Sequence, residues 1–153
     1  MKKAQLGSVS HATMRPQDLI PAFLDTLSGL AGNEVEHKLL TDNEISKGFL
    51  LEALENEDLA SFWDSDDAHY LLESLFEALG DLAPDHCYFG AHEGDGSDYG
   101  FWPSWDSLQD DPDVMHCGDG RNDKPLPEHV LHTNDHGNAT LYKVTLTPVW
   151  DCV

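Results

Sequence analysis

From Gly48 to Asp113 the chain has no lysine or arginine, and from Asp42 to Asp113 twenty Asp and Glu face Lys47 alone. Twenty negative charges less one positive charge leave a net of −19 over these 72 residues, out of −21 for the whole 153-residue chain. Local ion pairs cannot satisfy so many carboxylates. Buried and unpaired they would cost several kcal/mol each, so the fold must hold them in water. Crowding them on one small domain also costs self-repulsion, which solubility alone does not require. The stretch is still not that of a disordered acidic tail, because Leu, Phe and Trp run through it in regular patterns.

Those patterns are helical in the first half. Leu19, Ile20, Phe23, Leu24, Leu27 and Leu30 follow a 3.6-residue period. Asp18 suits the N-cap, Pro21 the first turn and Gly32 the C-terminal stop, which predicts a helix near 18–31. Thr41-Asp42-Asn43-Glu44 reads as a capping box, opening a second helix with Ile45, Phe49, Leu50 and Leu54 on one face and Gly48 weakening its middle. A third begins near Ser65 or Asp66 and stops before Pro84. Tyr70, Leu71, Leu72, Leu75, Phe76, Leu79 and Leu82 form its stripe, with Glu73, Glu77 and Asp81 opposite.

After Pro84 the pattern changes. Residues 87–90 and 98–105 read as strands around a turn at 93–97, with Pro103 favouring an edge or a strand end. Residues 106–127 read as loop. Residues 128–133 and 139–146 flank Asn134-Asp135-His136-Gly137-Asn138, a hairpin signature. The expectation is an α+β fold, with N-terminal helices packed on a C-terminal antiparallel sheet. One domain is expected over 1–153, with 1–15 as a flexible lead, 16–84 mainly helical and 85–153 mainly strand and loop.

No apolar run approaches the ~20 residues that span a bilayer. Met1-Lys2-Lys3 is not followed by the apolar region of a signal peptide, and the odd set Cys87, Cys117 and Cys152 fits reduced thiols. A cytoplasmic protein is expected. Histidines invite a metal reading: His86-Cys87 and His116-Cys117 repeat a pair, and His92, His129, His132 and His136 share the same half. Zinc needs three or four converging ligands, and neither C-x-x-C nor H-E-x-x-H is present. Asp95 to Asp106 misses the calcium-loop pattern at its fifth and twelfth positions. A Cys87/His92 dyad has no supporting motif, and no nucleotide, hydrolase or kinase signature is found. Neither a catalytic residue nor a metal ligand is assigned, and no cofactor is expected. Phe101-Trp102-Pro103-Ser104-Trp105 reads as core filling rather than as an exposed aromatic platform.

A polyanion of this kind repels nucleic acid and anionic membranes, so neither is expected as a direct partner. Acidity serves either hydration in high salt or a basic partner. Carboxylates in rows on rigid helices imitate the phosphates of duplex DNA, which carries one charge per ~1.7 Å of axis. On that reading the partner-binding residues are Glu52, Glu55, Asp66, Asp67, Glu73, Glu77 and Asp81, and the partner is a basic nucleic-acid-binding protein.

Three segments, residues 14–23, 88–103 and 134–138, together resemble small proteins carried by phages and prophages. Small, very acidic phage proteins of this kind resemble the inhibitors that phages direct against CRISPR and restriction systems, several of them DNA mimics. The resemblance implies an inhibitor of a host defence complex and assigns no residue a role. Two alternatives stand beside it. One is a small metal-dependent enzyme built on C-terminal histidines and aspartates; the other is an immunity protein against a basic toxin nuclease.

Overall fold

The computed structural model of the chain describes residues 4–111, 113–116 and 127–145. They divide into two compact units, the first ending at Ser104 and the second beginning at Trp105.

In the first unit, helix α1 (Pro16–Ala31) starts two residues before the sequence suggests. Pro16 takes the first helical position, where its missing N–H costs nothing, and Asp18 acts from inside the first turn. Its carboxylate accepts from Arg15 Nε at 2.9 Å and from Thr13 Oγ1 at 2.6 Å. At the other end Gly32, at φ 97°, donates its N–H to the Ser28 carbonyl and turns the chain into α2 (Asn33–Asp42).

Helix α2 occupies a stretch with too few apolar residues to announce itself. It consumes Thr41, whose hydroxyl bonds the His37 carbonyl, so the expected capping box at Thr41 does not form. Ser46 caps α3 (Lys47–Glu55) instead, accepting the Phe49 N–H at 3.1 Å. On α3 it is Leu50 and Ala53 that are buried, while Leu54 faces outward, against expectation. A 3₁₀ helix (Glu57–Asp64) follows, anchored by the buried Trp63, whose indole donates to the Ala53 carbonyl at 3.1 Å.

Helix α4 (Asp66–Gly80) matches its sequence pattern closely. Ser65 caps it, accepting from the Ala68 N–H, and Ala68, Leu71, Leu75 and Leu79 are fully buried. Tyr70 departs from the expected stripe and is 60% exposed. At 100° per residue it falls between Glu77 and Asp81, far round the helix from the leucine seam.

The helices pack on a three-stranded antiparallel sheet of order β1-β3-β2: β1 (Gly7–Ser10), β2 (Cys87–His92) and β3 (Asp95–Pro103). Strand β1 comes from the segment expected to be a flexible lead, and its partner β3 lies some ninety residues further along the chain. Gly100 makes that pairing possible. A Cβ there would lie 2.1 Å from the Gly7 carbonyl oxygen, which no side chain tolerates. The core closes on Phe23 of α1, edge-on to Phe76 of α4 and Phe89 of β2 at 5.2 and 5.0 Å between centroids. Phe101 lies buried beside Phe89, and the Trp102 indole bonds the Gly90 carbonyl at 3.0 Å. Of the aromatic run only Phe101 fills the core, while Trp102 and Trp105 are half-buried.

In the second unit, Trp105, expected at a strand end, and residues expected as loop form α5 (Trp105–Asp110) and β4 (Val114–His116), with Leu108 of α5 buried. Strands β5 (His129–Thr133) and β6 (Ala139–Lys143) make the expected antiparallel hairpin, and β4 adds to β5 in parallel. Asn134 organises the turn, its side-chain oxygen accepting from the N–H groups of His136 and Asn138.

Candidate functional site

Leu71, Leu75 and Leu79 fix which side of α4 faces water. Opposite them Asp66, Tyr70, Glu73, Glu77 and Asp81 fall within an arc of about 80°, by the 3.6-residue repeat. Asp81 stands one residue past the helix end in helical conformation, so it continues the row. From Asp66 to Asp81 the row runs about 22 Å, with the last three carboxylates about 6 Å apart along the axis. All four acids are exposed. Asp67, also exposed, lies about 100° round from Asp66, on the flank of the row. Glu52 and Glu55 are exposed on α3, and both α3 and α4 pack against the 3₁₀ helix.

The two ends of the row differ in what the helix gains from them. Asp66 and Asp67 occupy the first turn of α4, where the N–H groups and the positive end of the dipole favour carboxylates. Glu77 and Asp81 stand at the negative end, among terminal carbonyls, and the last turn holds no basic residue. Each acid there costs rather than contributes, about 0.3–1 kcal/mol. Like charges four residues apart add ~0.2–0.5 kcal/mol per pair. Helix α4 by itself gains nothing from Glu77 and Asp81.

Among the described residues, each lysine and arginine is paired with a carboxylate outside the row. Arg15 holds Asp18, Lys38 holds Asp42, and Lys143 holds Glu128. Lys47 reaches back to Glu36, the one charged side chain among the described residues that is buried, at 2.6 Å. Near the row His69 Nε2 lies 3.3 Å from Glu73, an ion pair only when the imidazole is protonated. A groove of about 500 Å³ between α2 and α4 brings Glu77 and Asp81 together with Asp42 and its partner Lys38, beside Leu39, Ala78 and the exposed Val35.

The other constellations stay apart. Among the described residues no three of His, Cys, Asp and Glu converge as a metal ion requires. His129 and His132 are three residues apart on β5, hence on opposite faces, and His136 sits in the turn beyond. Cys117 and Cys152 lie outside the described residues. His92 packs edge-on to Trp102 at 4.7 Å, and its Nδ1 accepts the Gly94 N–H. Cys87 and His92, five residues apart on one strand, point to opposite faces. Asp95 accepts from the Ser97 N–H and hydroxyl, bonds that hold its carboxyl below the usual range and tie it to a tight turn.

Sequence reasoning missed four exposed apolar side chains beside these acids: Val35, Leu51, Leu54 and Tyr70. Finding them required setting each helix's phase by its most buried residues rather than by counting every apolar one. No helix among the described residues is long and apolar enough to cross a membrane. Comparison with known proteins matches the chain to no family model, no curated protein and no solved structure.

Proposed function

We propose that this chain is a non-enzymatic inhibitor, carried by phage and acting in the host cytoplasm. It occupies the basic, nucleic-acid-binding surface of a defence complex such as a CRISPR effector or a restriction enzyme. The observation that carries the reading is the outward row of α4, acids exposed over about 22 Å with no lysine or arginine from 48 to 113. Rigid carboxylates at about 6 Å present a sparser ladder than one DNA strand, at ~3.4 Å per phosphate. Glu52, Glu55 and Asp67 add charge beside the row. Binding would relieve the self-repulsion that the free protein carries, and the field of the row would steer a cationic surface toward it.

The test is a bait experiment. The protein, the variant Glu73→Lys/Glu77→Lys/Asp81→Lys and a His129→Ala/His132→Ala variant are each exposed to bacterial lysate at low salt. The reading expects a nucleic-acid-binding protein on the wild type and on the histidine variant, released by duplex DNA and not held by the charge-reversed one. Equal retention by the charge-reversed protein would exclude the α4 row. Loss confined to the histidine variant would turn attention to metal chemistry. Capture of a toxin nuclease would keep the mechanism and change the target.

A further inference from the structure

A surface made only of carboxylates binds any polycation, so specificity must come from an apolar contact. Between α1 and α3 lies a groove of about 170 Å³ where Pro21 and Leu24 face Leu50, Leu51 and Leu54. Leu51 is 58% and Leu54 45% exposed, although Leu50, next to the first and one turn before the second, is buried. Burying two such leucines on contact is worth far more than leaving them in water.

The charges around the groove say what sort of chain brings the apolar group. Asp25 lines it, and Glu55 stands exposed on α3, about 40° round the helix from Leu51. The one lysine in the lining, Lys47, is already neutralised by Glu36. We infer that this groove is the anchor site for a basic partner segment, which seats one aliphatic or aromatic side chain between α1 and α3 while flanking lysines or arginines meet Asp25 and Glu55. A cavity of ~150 Å³ holds a benzene-sized group, so one side chain such as Leu or Phe fits the space. A second copy of this chain would bring acids against acids, which disfavours self-association through the same face. The inference rests on the proposed inhibitor function and names the chemistry of its partner.

The test uses a synthetic helical peptide with lysines and arginines around one central leucine, titrated against the full-length protein. Leu51→Ala/Leu54→Ala should weaken binding about tenfold, and replacing the peptide's leucine by serine should weaken it by a similar factor. The two changes together should cost little more than either alone, since both remove one contact. An unchanged thermal midpoint shows that the exposed leucines were not holding the fold. Affinity indifferent to Leu51 and Leu54 would overturn the groove, even if Glu73→Lys/Glu77→Lys/Asp81→Lys abolishes binding and so upholds the α4 row. Loss of binding in the leucine variant, with full binding by the charge-reversed one, would keep the groove and remove the row. Sedimentation showing a dimer of the protein alone, dissolved by Leu54→Glu, would assign the groove to a second copy and overturn the proposal.

Discussion

The two ends of α4 carry the same charge and are not equivalent. At the first turn Asp66 and Asp67 sit beside the Ser65 cap, where carboxylates stabilise a helix. At the last turn Glu77 and Asp81 oppose the dipole and each other, with no lysine or arginine nearby in the chain. Acids that help folding need no further explanation. Acids that hinder it on an exposed face are the ones the proposed binding role has to account for. The position of a charge in its helix separates the two cases where its mere presence does not.

The largest expected effect concerns the seam that holds both ends in place. Leu75→Ala, at a fully buried site between Leu71 and Leu79, should cost about 3 kcal/mol in urea unfolding. A loss below about 1 kcal/mol would mean that α4 is not the rigid element the comparison needs. Next, Glu77→Lys/Asp81→Lys should stabilise the protein by about 1–2 kcal/mol, combining the dipole with relief of repulsion. The mirror change Asp66→Lys/Asp67→Lys should lower stability by roughly 0.5–1 kcal/mol, because the lost dipole interaction is partly offset by the reduced net charge. Equal stabilisation by both pairs would break the comparison and leave net charge as the only variable.

The smallest effect lies at Asp18 of α1. Bonds from Arg15 and Thr13 hold its carboxyl below the usual value of 3.8. A carboxyl depressed in the folded state stabilises it at pH above the unfolded value, and that contribution is lost as pH falls through the folded one. The side chain is 35% exposed, so solvent limits the effect to a few tenths of a kcal/mol. Asp18→Asn should flatten the stability curve by that amount below pH ~4 and leave neutral pH less stable by the same margin. No difference between the two proteins across that range would remove the Arg15–Asp18 pair from the account.

What the sequence made legible follows from where the determining contacts lie. Helices α1 and α4 are readable because their leucines and phenylalanines repeat locally, and the outward row Glu73, Glu77 and Asp81 follows from the same period. Helix α2 is not readable. Its buried Glu36 is satisfied by Lys47 eleven residues on, and no local rule foresees that. Thr41 to Glu44 has the composition of a cap, yet Ser46 five residues later captures the helix start. Strand β1 depends on Gly100, about ninety residues away, to let its backbone approach. Short α5 owes its place to Leu108, one apolar residue in a stretch rich in turn formers. Within the candidate site the acids were legible and the groove was not, because Pro21 and Leu24 meet α3 only in the folded chain.

The central claim is that the α4 row governs encounter with a basic, nucleic-acid-binding partner. Its most direct test is the association rate of the captured partner, measured by stopped flow at several salt concentrations for wild type and Glu73→Lys/Glu77→Lys/Asp81→Lys. Steering by the row predicts a wild-type rate that falls at least tenfold as the screening length shrinks from ~10 Å at 0.1 M salt to ~3 Å at 1 M. The charge-reversed protein should associate at least tenfold more slowly at the lower salt, with a much weaker salt dependence. Equal rates and equal salt dependence for the two proteins would contradict the account.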